Sequence, residues 1–162
     1  MSITAINTSL QELAVIHKEL LKVSKRKTDI IKEGSTEKIQ AILVEERKYI
    51  KVLEQAEQKR QIEVEKWYSN RQQPLEEMTI TNMLELLTDE QEKLELEEKT
   101  IQLTEAITEL KHQEQLNQAL IQQSMQFVQL SLDMLNPTIQ SMNYGKSQDT
   151  EGSKRSVFDS KA

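Results

Sequence analysis

Apolar residues recur every three or four positions through the first part of the chain, which is the spacing of one face of an α-helix. Gly34 interrupts this pattern, and Ser35 or Thr36 can cap the helix that follows. Glycine favours the end of a helix, and serine or threonine favours its start. Two helices of similar length with so short a connection predict an antiparallel hairpin, over about 3–33 and 36–69.

A short helix over about 79–87 and a long one over about 89–135 are predicted to follow the hairpin. The sequence Thr88-Asp89-Glu90-Gln91 has the Thr-x-x-Gln pattern of a capping box, which opens a helix. No glycine or proline then occurs until Pro137. The long helix is therefore expected to end near Leu135, after roughly 70 Å.

Composition supports long helices with a narrow apolar seam instead of a thick core. Only 36% of the residues are hydrophobic and 30% are charged, and the chain has three glycines and two prolines. We predict an all-α fold, in which a helical hairpin and a longer third helix form a coiled-coil-like bundle over residues 1–135. Residues 136–162 are polar and are expected to form a flexible, disordered tail.

The long helix carries two apolar stripes, roughly 120° apart around its axis. Stripe A consists of Leu96, Leu103, Ile107, Leu110, Ile121, Met125, Val128, Leu132 and Leu135. Stripe B consists of Leu94, Ile101, Leu116, Leu120, Phe127, Leu130 and Met134. A helix that packs on one hairpin needs one stripe, so the second indicates an external partner. The alternative, in which the groove of the hairpin buries both stripes, stays open.

Charge is distributed unevenly within the net charge of −6. Residues 1–75 carry 14 basic and 11 acidic side chains, whereas residues 76–110 carry 2 basic and 11 acidic ones. This pattern predicts complementarity between the two parts of the chain. It argues against nucleic acid as a partner, because phosphates require a concentrated basic surface.

No catalytic or metal-binding pattern is present. The chain has no cysteine, and neither His17 nor His112 has a second ligand at metal-binding spacing. We therefore expect no enzyme activity, no cofactor and no metal. No apolar run is long enough to cross a bilayer and no signal peptide is recognisable, which predicts a cytoplasmic protein without membrane insertion. Trp67 and Tyr68 are expected to be packing anchors at the end of the hairpin.

Two short segments of the tail suggest a family. They are Tyr144-Gly145 and Phe158-Asp159-Ser160-Lys161-Ala162. Together with the long hairpin, the longer final helix and the polar tail, they resemble the FlgN family of flagellar export chaperones. The resemblance covers the whole chain by length and organisation.

This resemblance implies a chaperone for the two hook–filament junction proteins of the bacterial flagellum. The chaperone would bind their C-terminal helical segments, prevent premature association and deliver them to the type III export gate. Tyr144 and Gly145 match the position that docks on the cytoplasmic domain of the gate protein, although Pro137 and six further residues separate them from the predicted helix end. The alternative, that Tyr144 folds back on the bundle, stays open. The predicted cargo-binding residues are Leu116, Leu120, Phe127, Leu130 and Met134.

A second interpretation is a homo-oligomeric structural coiled coil or adaptor, with stripe B as the seam of self-association. Gly34 and Pro74 interrupt its heptads, and the C-terminal half of the long helix lacks charge pairs. We therefore expect a monomer or weak self-association.

Overall fold

The computed structural model describes the backbone of residues 3–144 and the side chains of residues 3–135. Every regular element in that range is helical, and no strand occurs there, so the predicted all-α fold is confirmed. The elements are α1 (Thr4–Glu33), α2 (Thr36–Asn70), a 3-10 turn (Leu75–Glu77), α3 (Ile80–Leu86) and α4 (Glu90–Tyr144). The first three α-helices lie within one residue of their predicted bounds.

The connection between α1 and α2 follows the predicted rules. Gly34 has a φ of 74°, in the left-handed region that glycine adopts at least cost. Its N–H donates to the carbonyls of Ile30 and Ile31 at 3.1 and 3.2 Å, which satisfies the end of α1. The Ser35 hydroxyl accepts from the Lys38 N–H at 3.4 Å and caps α2. These local contacts turn the chain back on itself within two residues.

The largest apolar core lies where the N-terminal part of α1 meets the C-terminal part of α2. It consists of Ile3, Ile6, Leu10, Val64, Trp67, Tyr68, Met83, Leu87 and Leu96. The rings of Trp67 and Tyr68 meet edge to face, with centroids 5.1 Å apart. The Tyr68 hydroxyl lies 3.1 Å from the Thr79 carbonyl oxygen and 2.9 Å from Asn82 Oδ1. Both aromatic residues are buried, which confirms their predicted role as packing anchors.

The start of α4 differs from the predicted capping box. Asp89 Oδ1 accepts from the Gln91 N–H at 2.8 Å, and the helix begins at Glu90. Asp89 is therefore the capping residue, and the prediction of Thr88 was wrong. Both threonine and aspartate can cap a helix. The capping residue is the one with a side-chain oxygen that reaches the free N–H groups of the first turn.

The end of α4 also differs from the prediction. The helix continues through Pro137 to Tyr144, so the expected end near Leu135 was wrong. Proline has a φ suited to a helix and removes only one backbone donor, so a helix can continue past it at some cost. Gly145 and the rest of the predicted tail, residues 146–162, lie outside the described residues.

The chain divides into two compact units between Ile121 and Gln122. The first unit contains the hairpin, α3 and the beginning of α4. The second unit contains the remainder of α4. The boundary is thus inside a continuous helix instead of in a loop.

Candidate functional site

In the first unit, stripe A of α4 faces the hairpin. Leu96 is 0% exposed and belongs to the apolar core, and Leu103 packs against the same core. Ala106, close to the same line of the helix, is also buried. The hairpin therefore covers stripe A at Leu96 and Leu103, whereas Ile107 and Ile121 of the same stripe are 43% and 44% exposed.

A cluster of polar side chains fastens α4 to the hairpin further along. We call it the polar seam, and it consists of Ser24, Lys27 and Thr28 from α1, Glu46 from α2, and Gln113, Glu114 and Asn117 from α4. At its centre Lys27 Nζ lies 2.6 Å from a carboxylate oxygen of Glu46 and 2.9 Å from one of Glu114. Only 9% of the Lys27 side chain is exposed. One ammonium group thus links all three long helices.

Electrostatic interactions in the polar seam favour the charged forms of Lys27 and Glu114. Burial acts to lower the pKa of Lys27, but hydrogen bonds to Glu46 and Glu114, and the charges of these two groups, raise it overall. Burial acts to raise the pKa of Glu114, but hydrogen bonds from Ser24 and Lys27, together with the Lys27 charge, lower it overall. The network therefore stabilises the ion pairs that it contains.

Neutral hydrogen bonds complete the seam. The Asn117 amide donates to the Ser24 carbonyl at 2.9 Å, and the Gln113 amide donates to the Thr28 hydroxyl at 2.6 Å. Asn117 is 1% exposed, so its hydrogen bonds are shielded from water. Because each donor faces a particular acceptor on α1, these bonds fix the register of α4 against α1. Sequence reasoning did not find this cluster.

Two clefts open within the first unit. One, with a volume of about 440 Å³, lies among α1, α2, α3 and the beginning of α4, and is lined in part by Leu53, Ile80 and Ile107. The other, of about 710 Å³, runs along the hairpin and is lined in part by Val15 and Val52. The first cleft is also lined by Glu57 and Arg60, and the Arg60 guanidinium donates to the Glu57 carboxylate at 2.6 and 2.8 Å.

The predicted cargo-binding residues are mostly exposed. Leu116 is 48% exposed and Leu120 is partly buried, and both belong to the first unit. Phe127, Leu130 and Met134 are 70%, 58% and 70% exposed and belong to the second unit. Large apolar side chains at these levels of exposure offer area that a partner can bury.

Stripe A also becomes exposed in the second unit, and sequence reasoning did not assign this part of it to the site. Met125, Val128, Leu132 and Leu135 are each more than half exposed. Only one charged residue, Asp133, occurs in residues 122–135. The sequence signal for these residues was the spacing of stripe A, which continues unchanged along α4 into the second unit.

The predicted gate-docking residues lie at the limit of the described chain. Tyr144 is the last residue of α4, so the separation between helix end and tyrosine that the sequence predicted is absent. Its side chain and Gly145 lie outside the described residues. The role predicted for these two residues is untested by the geometry.

The acidic segment does not form the predicted ion pairs with the basic part of the chain. Among residues 3–135, no carboxylate of residues 76–110 pairs with a basic side chain of the hairpin, and nearly all these carboxylates are exposed. The pair that does join α4 to the hairpin uses Glu114. The expected complementarity between the two segments therefore has no ion pair to support it in this range.

The described residues contain neither a metal-binding cluster nor a membrane-spanning helix. No group of three His, Cys, Asp or Glu side chains converges there in a way that could hold a metal ion. His17 instead donates from Nδ1 to the Leu13 carbonyl at 2.7 Å. Over the same residues, no helix combines the length and the apolar character needed to cross a membrane.

Comparison with known proteins identifies the family. The family described as FlgN protein matches residues 1–152 of this chain. The chain is also 36% identical, over 167 residues and 100% of both chains, to "Uncharacterized protein YvyG" of Bacillus subtilis (strain 168). No solved structure matches. Because the family match covers nearly the whole sequence, this chain belongs to the FlgN family, and that membership indicates a flagellar export chaperone.

Proposed function

We propose that this protein is a cytoplasmic export chaperone for the hook–filament junction proteins. It binds their C-terminal helical segments, prevents their premature association and delivers them to the flagellar type III export gate. Membership of the FlgN family supports the chaperone role. The observation that carries the choice of site is the exposure of large apolar side chains on the C-terminal part of α4.

The exposed residues of stripe B are chemically suited to an amphipathic helix. Phe127, Leu130 and Met134 recur at spacings of three and four, which is how a helix presents anchors to a partner helix. Complete burial of such a side chain contributes roughly 1.5–3 kcal/mol. Several anchors can therefore offset the cost of ordering a cargo segment that is unfolded when free, which is roughly 2–5 kcal/mol or more. The result is a complex that is stable yet able to release its cargo.

The low charge of this surface limits the kind of cargo that fits. Between Gln122 and Leu135 only Asp133 is charged. A segment that relied on ion pairs would find no complementary groups on this surface, whereas an apolar helical face flanked by uncharged polar residues would. The surface therefore favours the apolar face of an amphipathic helix as its cargo.

Delivery to the gate is assigned to Tyr144 and Gly145. The support for this assignment is that α4 extends to Tyr144, so the tyrosine belongs to the end of the same helix that carries the cargo surface. An aromatic residue at a helix end can enter a pocket of the gate protein while the apolar stripe remains occupied. Cargo binding and gate docking are therefore expected to be separable.

Calorimetry with the full-length chain tests cargo binding. The ligands are the C-terminal segments of the two junction proteins, and the variants are Phe127→Gln and Leu94→Gln. Phe127→Gln is expected to weaken binding at least tenfold. Leu94→Gln removes an exposed apolar residue of the same stripe in the first unit and is expected to change binding less than twofold. Absence of heat with either segment and the unmodified chain would reject the chaperone assignment.

The same variants and Tyr144→Ala test delivery. Binding to the cytoplasmic domain of the gate protein is expected to be lost in Tyr144→Ala and retained in Phe127→Gln, and cargo binding is expected to show the opposite pattern. If Tyr144→Ala left gate binding unchanged, the docking role of this tyrosine would be abandoned. Sedimentation equilibrium without cargo addresses the coiled-coil alternative, which a stable dimer or trimer at micromolar concentration would favour.

A further inference from the structure

Residues 124–135 of α4 expose apolar side chains on more than one side of the helix. All seven large apolar side chains of this segment are more than half exposed; they are Met125, Phe127, Val128, Leu130, Leu132, Met134 and Leu135. With successive residues 100° apart, they and two serines occupy an arc of roughly 220°. The polar residues Gln126, Gln129 and Asp133 share the remainder.

Hydrogen bonds within the helix support this division. The Ser131 hydroxyl, which lies between the two stripes, donates to the Phe127 carbonyl at 2.9 Å. Its polar group is therefore satisfied without water, and a partner can cover it at little cost. On the polar side, the Gln129 amide donates to Asp133 at 3.1 Å. The wide apolar arc is thus interrupted only by two small residues, Ser124 and Ser131.

One helix is too narrow a partner for this arc. The apolar stripe that packs on a single surface is typically about 100° wide, or somewhat more. In the first unit the hairpin buries stripe A at Leu96, while stripe B stays exposed at Leu94. Stripe A is already partly exposed there at Ile107 and Ile121. Beyond Ile121 the same stripe A continues with exposed side chains. A partner that buries all the apolar side chains of this segment must therefore contact stripe A and stripe B together.

We propose that the cargo covers residues 124–135 with two helices, one on each stripe. This inference rests on the proposed chaperone function and specifies the form of its ligand. The two helices belong to one cargo chain, are joined by a short turn, and meet over Ser131. Their contact faces are apolar and uncharged, because the segment carries no basic residue and its one acidic residue, Asp133, lies on the polar side.

The length of the required cargo segment follows from the geometry. Twelve residues of α4 extend about 18 Å, so each cargo helix needs about 12 residues to match it. A connection between adjacent helices takes roughly 2–8 residues. A competent cargo segment therefore has about 30 residues or more, and a peptide that contains only one of the helices is expected to bind at least tenfold more weakly.

The experiment compares three double variants of the full-length chain by calorimetry against the C-terminal segments of the junction proteins. Val128→Gln with Leu132→Gln alters stripe A, and Phe127→Gln with Leu130→Gln alters stripe B. Each is expected to weaken binding at least tenfold. The control, Gln126→Ala with Gln129→Ala, alters the polar side and is expected to change binding less than twofold. Thermal unfolding should be nearly the same for all three, because the altered side chains are exposed and the control loses only the exposed hydrogen bond from Gln129 to Asp133.

The outcomes separate this inference from the proposed function. If the unmodified chain binds neither cargo segment, the proposed function fails. If it binds and only one stripe variant is weakened, the cargo uses a single helix and the two-helix inference is overturned. If peptides of about 15 residues bind as tightly as those of about 30, the inference is also overturned. A dimer of this chain that either stripe variant dissociates would identify a second copy as the occupant and would overturn it as well.

Discussion

The ammonium group of Lys27 offers a direct test of the polar seam. It lies 2.6 Å from Glu46 and within 3.1 Å of both carboxylate oxygens of Glu114. Lys27→Met retains most of the aliphatic stem and removes only the charged group. The substitution leaves two carboxylates facing an apolar side chain, without the cation that offsets their burial.

The expected loss of stability follows from the exposure of these groups. Removal of one partner from a fully buried ion pair costs about 3–5 kcal/mol. The Glu46 side chain is 16% exposed and that of Glu114 is 40% exposed, so water recovers part of this cost. We expect Lys27→Met to lower the free energy of unfolding by about 2–3 kcal/mol. Glu46→Gln in the same variant should restore about half of the loss, because a neutral amide replaces the more buried unpaired charge.

Urea unfolding at pH 7 provides the measurement, with far-ultraviolet circular dichroism and Trp67 fluorescence as independent probes. Trp67 is the single tryptophan of the chain and is buried in the core. The matched control is Lys59→Met, which breaks a 3.1 Å pair with Glu12 whose side chains are 57% and 44% exposed. An exposed pair contributes about 0–1 kcal/mol. If the two Lys→Met variants differed by less than 0.5 kcal/mol, roughly the contribution of one weak surface pair, the polar seam would not stabilise the fold as reasoned here.

Three further changes test other parts of the first unit. The pKa of Glu114 is lower in the folded chain than its ordinary value of 4.5. The ionised carboxylate therefore stabilises the fold at pH values above 4.5, and this stabilisation is lost as the pH falls through the folded pKa. The unfolding free energy of the unmodified chain should therefore fall more steeply below about pH 4.5 than that of Glu114→Gln. Equal slopes of unfolding free energy against pH for the two proteins in this acidic range would contradict this. Leu96→Ala should cost about 3 kcal/mol in urea unfolding, since it empties a fully buried position, and a loss below 1 kcal/mol would show that the core collapses around it. Gly34→Ala should cost about 1 kcal/mol through its left-handed φ alone, because an added Cβ meets no atom within 4 Å, and a gain in stability would contradict that reasoning.

The hairpin could be predicted from sequence because its signals are local. Gly34 and Ser35 determine the turn through backbone conformation and a side-chain cap, and both effects involve residues close in the chain. Trp67 and Tyr68 were predicted as anchors because large aromatic residues are scarce here and lie at the end of an apolar stripe. Such features require no knowledge of what packs against them.

The limits of α4 were harder to predict because alternative local signals compete. Thr88 and Asp89 can both cap a helix, and in the structure the Asp89 carboxylate accepts from the Gln91 N–H. Pro137 was interpreted as a terminator, although it removes only one donor from a helix that continues to Tyr144. In both places the residue type permits two outcomes, and the surrounding chain determines which one occurs.

Long-range packing was not predictable from the pattern alone. Stripes A and B have similar spacing, so the sequence does not say which one the hairpin covers. Ser24, Lys27 and Thr28 look like solvent-exposed helical residues, yet they are buried because Glu114 and Asn117 supply partners from a helix some 90 positions away. Such pairs become recognisable only when the register of α4 against α1 is known.

The arrangement of contacts along α4 separates packing from docking. Leu96 and the polar seam attach the beginning of the helix to the hairpin, and the core of the first unit includes no residue beyond Ile121. The apolar residues of 124–135 therefore lie outside that core, and replacing them should leave the stability of the first unit unchanged. An apolar surface of this kind, with Asp133 as the one charged residue between 122 and 135, supports the proposed binding of a cargo segment. If the proposed cargo surface is correct, replacing Phe127 or Met134 should weaken cargo binding without changing the stability of the first unit.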